Sequence, residues 1–441
     1  MWMNVYGGNR PPHAPCVHRR AMILKPIHFR LSRFVLRRLC SSHSPVQIGG
    51  KTYPSDGWTN ITPKIVSLTE RRLYLDTGNP IGLVTRTVQD HFVGFDVLQY
   101  ESPVVTLEEN FDSLLIPKDH VSRSKHDTYY VNKESVLRCH TSAHQGHGLN
   151  RGYRRFVCVA DVYRRDAIDS THYPAFHQCE ILKLLHDDEL KTGRSVIKHH
   201  PKRLDDCQEQ YDEEASAATV KDLKSGLESY VKRLLGSSSE MRWVPAFFPF
   251  THPSFELEIL LRGKWMEILG CGVIEHKLLV NHGVHDQIGW AAGFGLERLA
   301  MLKYGIPDIR LFWSRDTGFT NQFQGLDAWQ SKTYKSVSVY PQCYCDISFW
   351  LPEGQSSSST DRCEDQFSPN DFYDLVRSVG GDLIEQVDLI DDFFNQKKNR
   401  RSHCYRITYR SYERTLTQGE VNSVHKLIEK TAAGELGVEL R

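Results

Sequence analysis

Apolar and polar positions alternate along much of the middle of this chain. Residues 155–163 (RFVCVADVY) are rich in β-branched and aromatic side chains and predict a strand. AFHQCEILKL, from Ala175, predicts its return strand, with the charged RRDAIDSTHY between them as the turn. RWVPAFFPF, FELEILLR and KWMEILGCGVI predict three further strands in succession. Strand following strand implies a mainly antiparallel sheet rather than alternating βαβ units. Helical spacing is found on either side. Val220, Leu223, Leu227, Val231 and Leu234 share one face, closed by Gly236, after a charged loop read over 200–216. TPKIVSLTERRLYL (62–75) predicts a helix capped by Thr62 with Pro63 in its first position. Residues 109–131 are polar and loop-rich.

Gly305 and Pro307 end that pattern and open a connector over 303–335. CDISFWL (345–351) then predicts a strand, followed by a serine-rich loop at 355–360, a helix at 370–379 and a strand at 382–390. SHCYRITYR (402–410) sets Tyr405, Ile407 and Tyr409 on one face and Cys404, Arg406, Thr408 and Arg410 on the other. Thr417 and Glu420 form a capping box for a helix that carries Val421, Val424 and Ile428. The expected class is α+β: an antiparallel sheet flanked by helices, then a βαββαβ unit.

Charge changes the picture at the N-terminus. Net charge is +1, yet no Asp or Glu precedes Asp56, while nine Arg and Lys residues do. Taking those nine from 55 basic residues leaves 46 against 54 acidic ones, near −8. Ile27, Leu31 and Phe34 fall on one helical face, with Arg30, Arg33 and Arg37 on the other. An acid-free, arginine-rich amphipathic lead over 1–48 reads as a mitochondrial targeting segment, the alternative being a basic arm that touches RNA. No stretch of about 20 apolar residues predicts a membrane span. Eleven cysteines contain no CxxC, and the lone CxC at Cys343 and Cys345 has no second pair for zinc, so reduced, mostly buried thiols are expected.

Neither GxxxxGK[ST] nor a strand-borne GxGxxG is present, so P-loop and Rossmann readings lack support. Four segments carry the chemistry instead: HTSAHQ (140–145), DVYRRD leading into HYPAFHQCE (161–180), FFPFTHPSFE (247–256) and GFGLERLAM (293–301). Together they resemble the class II aminoacyl-tRNA synthetases, in particular the single-chain mitochondrial phenylalanine–tRNA ligases. The resemblance covers about residues 55–441. It implies 49–135 as an N-terminal region, 136–305 as the catalytic core, 306–335 as a linker and 336–441 as a ferredoxin-like anticodon-binding domain.

The resemblance also implies roles. Arg164 and Arg298 are the catalytic arginines, gripping the α-phosphate and the far phosphates of ATP. A guanidinium can fork to two oxygens at once, which an ammonium cannot. Asp166, Thr171, His172, Tyr173, Phe176 and Glu267 complete the ATP site, with Mg2+ arriving on the triphosphate beside Glu267. The phenylalanine site is implied to be His140, Ser142, Ala143, His144, Gln145, Gln178, Cys179, Glu180, Phe248, Phe250, Ala291 and Ala292. Gln178 and Glu180 alternate and share a face, as a pair gripping an ammonium should. Phe248 and Phe250, two apart, offer rings to a substrate ring, and Pro249 between them argues for an irregular wall. Arg406 and Arg410 are candidates for tRNA contact. The expected partners are ATP, L-phenylalanine and tRNA(Phe), with the protein a monomer in the mitochondrial matrix.

Two departures stand out. Asp119-His120-Val121, with Arg123, lacks the proline of the family's Asp-His-Pro. Ala291-Ala292-Gly293-Phe294 replaces Ala-Phe-Gly-Leu. If Phe294 does not replace the ring missing at 292, the amino acid pocket is roomier and tyrosine is charged more readily. A ligase of relaxed aromatic specificity, or a catalytically silent RNA-binding paralogue, are the alternatives. Pyrophosphate exchange with phenylalanine and with tyrosine separates them.

Overall fold

The computed structural model describes residues 44–441 except 101, 194, 199–201, 262, 316, 337–339, 353–366 and 412. The targeting lead up to residue 43 and the serine run at 355–360 lie outside the described residues. The end set for the lead at residue 48 is corrected. Val46–Ile48 pairs antiparallel with Lys51–Tyr53, and Ile48 is buried in the main core.

The first helix, α1 (Pro63–Leu68), starts as expected: the Thr62 hydroxyl accepts the Ile65 N–H. It stops seven residues short of the predicted end. The Thr69 hydroxyl bonds the Val66 carbonyl, Arg72 takes a left-handed conformation (φ 36°), and a 3-10 turn follows at Leu73–Leu75. Leu68, Leu73 and Tyr74 are all buried, which a straight helix over 62–75 could not achieve. Helix α2 (Pro80–His91) then packs Ile81, Val84 and Val88 into the same core.

Among the described residues, seven strands form the central sheet: β1 (Asp96–Leu98), β2 (Arg155–Tyr163), β3 (Ala175–Leu185), β4 (Met241–Phe248), β5 (Thr251–Leu261), β6 (Lys264–Ile274) and β7 (Ile288–Gly295). Their order is β1-β2-β3-β7-β6-β5-β4, antiparallel throughout except for β1 with β2. Helices α3 (Glu213–Leu235) and α4 (Leu296–Tyr304) join α2 over one face, around Ile181, Leu257, Cys271, Val273, Ala292 and Phe294. The other face buries Cys158, Leu182, Leu184, Phe248, Phe250, Ile274 and Ala291. Helix α3 begins at Glu213, inside the loop read over 200–216, because the Asp212 carboxylate accepts the N–H groups of Glu214 and Ala215.

The connector is also corrected. Ile306, Ile309, Leu311, Phe312, Trp313, Phe319 and Phe323 are buried in the main core, so residues 306–323 belong to the catalytic body. Beyond it lie β8 (Cys343–Trp350), α5 (Pro369–Gly380), β9 (Ile384–Asn395), β10 (Arg400–Tyr409), α6 (Gln418–Glu435) and β11 (Glu439–Leu440). The sheet order β9-β10-β8-β11 is that of a ferredoxin-like βαββαβ unit, antiparallel at each pairing. Tyr405, Ile407 and Tyr409 form its core, as their alternation predicts, and Thr417 and Glu420 exchange both bonds of the capping box.

This unit docks on the β2–β3 turn. Ile168 of that turn is buried among the unit's own apolar residues, and its carbonyl accepts the Val387 N–H at 3.0 Å. Arg377 donates to the Asp166 and Ala167 carbonyls. Asp374 accepts from Tyr129 Oη at 2.6 Å and pairs with Arg165 at 3.4 Å.

Candidate active site

A strand-to-helix switch and a hairpin build the site. The β3–β7 pairing sets Gln178 opposite Gly295 and Glu180 opposite Gly293, and α4 begins immediately after Gly295. Arg298, in the first turn of α4, therefore stands near the start of β3. Arg164 follows the end of β2, the antiparallel neighbour of β3 on its other side. Both arginines line one cleft, together with Asp166, Thr171, His172, Tyr173, Phe176, Ile268, Gly295, Glu297 and Ile309. Two guanidinium groups more than 130 positions apart in sequence thus line one cleft, brought there by elements that adjoin the same strand.

Each arginine is aimed by backbone. Arg164 Nε donates to the Cys139 carbonyl at 2.8 Å, and its guanidinium lies 5.3 Å from the Phe176 ring centroid. Arg298 Nη1 donates to the Glu267 carbonyl at 2.6 Å, and the Glu267 carboxylate acts electrostatically on both arginines. Its neighbour Arg165 diverges to Asp371 and Asp374 of the C-terminal unit, which distinguishes the two members of the Arg-Arg pair. At the turn, His172 Nδ1 lies 2.7 Å from Asp169 Oδ2. That hydrogen bond raises the His172 pKa above its ordinary value. Burial works to raise the Asp169 carboxyl, but His172 and the Thr171 N–H and hydroxyl bring it down to about 2. The Tyr173 hydroxyl donates to Asp382 of the C-terminal unit. A Cβ on Gly295 would meet nothing within 4 Å, so the cleft floor is open there.

A second, buried subsite lies beside the first. Glu180, with no exposed surface, accepts from Ser142 Oγ at 2.9 Å, from Thr141 Oγ1 at 3.3 Å and from Gln145 Nε2. HTSAHQ is thereby wrapped around one carboxylate, with Ala143 buried in the same 3-10 turn. Gln178 is fully buried on the same strand face. His140 is buried, and neither ring nitrogen has a hydrogen-bond partner among the described residues. Burial, then the charge of Arg164, push its pKa down to about 3, so it is neutral near pH 7. Phe248 and Phe250 are buried with their rings stacked 6.1 Å apart at 22°, in one apolar cluster with Ala291, Leu182 and Leu184. They flank the β4–β5 turn rather than lying on one strand, since β4 ends at Phe248.

Three expectations, those for Cys179, Ala292 and His144, are corrected. Cys179 and Ala292 face the helical side of the sheet, in the core with Ile181 and Cys271, away from Glu180. Phe294 lies on that same side, its ring centroid 5.8 Å from that of Tyr230, so neither Ala292 nor Phe294 faces Glu180. His144 turns to Arg138, 2.7 Å away, and stacks on Tyr100 at 3.8 Å. Arg406 and Arg410, the candidates for tRNA contact, pair with Asp346 and Glu385 in this structure.

The alternation argument missed three residues. Glu297 and His177 form a buried pair beneath the cleft, with 2.6 Å between Oε1 and Nδ1. Glu256 on β5 is raised to about 6 by burial and by the charge of Glu267, and its Oε1 is buried with no hydrogen-bond partner among the described residues. The signal available in the sequence was a carboxylate on each of two consecutive strands.

Known proteins show the same plan. Residues 65–217 and 212–323 match the family of tRNA synthetases class II core domain (F), and residues 338–441 match the ferredoxin-fold anticodon binding domain. The chain is 48% identical over 413 residues to the mitochondrial phenylalanine–tRNA ligase of Mus musculus, covering 90% of this chain and 89% of that one. It is 43% identical over 410 residues to the chloroplastic/mitochondrial phenylalanine–tRNA ligase of Arabidopsis thaliana, covering 90% and 88%. To the mitochondrial enzyme of Saccharomyces cerevisiae it is 35% identical over 458 residues, covering 90% and 95%. No helix among the described residues is long and apolar enough to cross a membrane.

Proposed function

The chain belongs to the class II aminoacyl-tRNA synthetases, among the mitochondrial phenylalanine–tRNA ligases, and from that membership we propose how its cleft divides the work. It is a mitochondrial ligase that activates phenylalanine with ATP and transfers it to tRNA(Phe). The Arg164–Arg298 cleft takes ATP, and the Glu180 pocket takes the amino acid. The observation that carries this division is the meeting of two arginines in one cleft, one strand away from a buried, hydroxyl-ringed carboxylate.

Activation needs two anions, a carboxylate and an α-phosphate, brought together without repulsion. Arg164 sits where it can bridge both, while Arg298 and His172 draw the β- and γ-phosphates away from the attacked phosphorus. Phe176 offers a ring face to the adenine. Glu180 and Gln178 bind the ammonium; Ser142, Thr141 and Gln145 hold Glu180 in place by their donors. His140, neutral, offers ring nitrogens to the substrate's polar end. Phe248, Phe250 and Ala291 close an apolar slot around the phenyl ring. Such a slot gives a para-hydroxyl no partner, which disfavours tyrosine by about a hundredfold.

Magnesium accompanies the nucleotide. The residues fit it: Glu256 and Glu267 are like-charged neighbours on adjacent strands, and one Glu256 oxygen lacks a hydrogen-bond partner among the described residues. They would hold the ion, which supplies charge neutralisation at the phosphates. The C-terminal unit binds the anticodon arm, the chain acts as a monomer in the matrix, and Arg406 and Arg410 reach RNA phosphates by exchanging Asp346 and Glu385 for them.

Phenylalanine-dependent ATP–pyrophosphate exchange tests the division. Arg298→Ala is expected to raise KM for ATP at least tenfold with KM for phenylalanine unchanged, and Glu180→Gln to do the reverse. Equal effects on both substrates would overturn it.

A further inference from the structure

The hydrogen-bond ladder between β3 and β7 ends at Gln178 and Gly295, because β7 gives way to α4 at Leu296. The next residue of β3, His177, still points its backbone N–H toward that side, where no strand remains. Glu297 takes the place of the missing strand. Both of its carboxylate oxygens accept the His177 N–H, at 3.0 and 2.8 Å, and Oε1 also accepts from His177 Nδ1 at 2.6 Å. Both side chains are buried on the helical face of the sheet, 0% and 4% exposed, opposite to the face that carries Gln178 and Glu180.

Glu297 itself lines the ATP cleft, and the pair adjoins two more of its walls: Phe176 precedes His177, and Arg298 follows Glu297. A third wall is tied in through rings. His177 stacks on Trp313 at 5.5 Å and 23°, and Trp313 stacks on Tyr173 at 5.4 Å and 30°. Tyr74 closes the other side of the imidazole at 5.8 Å. Trp313 is fixed in turn by Arg71, whose guanidinium donates to its carbonyl.

We propose that the His177–Glu297 pair positions the ATP site: it sets the first turn of α4 against the start of β3, and so fixes where Arg298 lies relative to Phe176 and Arg164. The Glu297 oxygens are spent on the His177 N–H and Nδ1, and His177 Nε2 is buried with no hydrogen-bond partner among the described residues. The pair acts through Arg298 and Phe176, and through Tyr173 by way of Trp313. A displacement of Arg298 of the order of 1 Å is enough to lose a phosphate contact. The amino acid subsite is spared, because Glu180, Ser142 and Gln145 are tied to one another on the opposite face.

The inference rests on the assignment of this cleft to ATP, and the experiment separates the two. Full-length wild type, Arg298→Ala, Glu297→Gln, His177→Phe and His177→Asn are compared by phenylalanine-dependent pyrophosphate exchange, with thermal midpoints for each. His177→Phe keeps the stack on Trp313 but removes the Nδ1 donor; His177→Asn keeps a donor near that place. The expected result is a KM for ATP raised about tenfold in Glu297→Gln and His177→Phe, KM for phenylalanine within twofold of wild type, and recovery to within threefold in His177→Asn. If the two variants only lose thermal stability or kcat, with KM for ATP unchanged, the pair is structural and the proposal falls. If both KM values rise together, it falls as well. If Arg298→Ala itself leaves KM for ATP unchanged, the ATP assignment is what fails. Should His177→Phe not fold, Glu297→Gln, which is nearly isosteric, decides the matter.

Discussion

Exchanging the side chains at 292 and 294 gives the sharpest test of which face of β7 reads the substrate. Ala292 and Phe294 are both fully buried on the helical face, two residues apart and therefore neighbours. Ala292 stands opposite Cys271 on one side and Ile181 on the other, with no exposed surface. Ala292→Phe alone forces a ring into filled space and costs about 1–3 kcal/mol. Phe294→Leu alone opens a gap beside Tyr230 and costs about 1–2 kcal/mol, less than the ~3–5 of a Phe→Ala change. The double variant returns one ring and one smaller side chain to the same layer, and as a near volume-conserving swap costs less than about 1.5 kcal/mol. The coupling between the sites is then about 1–3 kcal/mol in favour of the pair. Thermal unfolding reads this as a drop of about 2–4 °C for each kcal/mol lost in a domain of this size. Each protein is also assayed for pyrophosphate exchange with phenylalanine and with tyrosine. The ratio of kcat/KM for the two amino acids should stay within twofold of wild type in all three variants. A better rejection of tyrosine by Ala292→Phe, with its melting midpoint unchanged, would show that residue 292 faces the pocket and refute the assignment.

Other outcomes follow from the same geometry. Glu180→Gln removes the charge offered to the substrate ammonium; a hydrogen bond to a charged group is worth about 1.5–3 kcal/mol, so KM for phenylalanine should rise roughly 10- to 100-fold in exchange assays. The pKa of His172 is raised, so it is cationic below that pKa and neutral above it. KM for ATP should therefore be lower below the His172 pKa and climb as pH rises through it, and His172→Gln should flatten that profile. Asp374→Ala strips a buried carboxylate from Arg165, Arg377 and Tyr129. Breaking such a pair costs about 3–5 kcal/mol, and the variant should melt lower. Asp346→Asn frees Arg406 and should tighten tRNA(Phe) binding at low salt with a steeper salt dependence, whereas Arg406→Ala should weaken binding and make the salt dependence shallower.

Most of the local architecture could be read from the residues. The strand over 155–163 begins and ends where its β-branched run does, and Thr417 and Glu420 build the capping box their spacing announces. These depend on neighbours along the chain: period two for a strand, four residues for a cap. Where helix ends were misjudged, as at Leu68 and Glu213, burial of separated residues or a cap at Asp212 overrode the apolar pattern. The two arginines, the HTSAHQ loop and Glu180 were all identifiable from their motifs.

Alternation along one strand states that Gln178 and Glu180 share a face, but not which face meets the substrate. That depends on which strands lie beside it and what covers each side, and both are long-range. Pairing of β3 with β7 put Cys179 and Ala292 under the helices, and docking of the C-terminal unit gave Arg165 a partner more than 200 residues away. Local sequence thus determined the elements and the chemistry they carry, through short-range sterics and hydrogen bonding. Strand order and domain docking decided which of those side chains converge, because convergence is settled by contacts between segments that no local period describes.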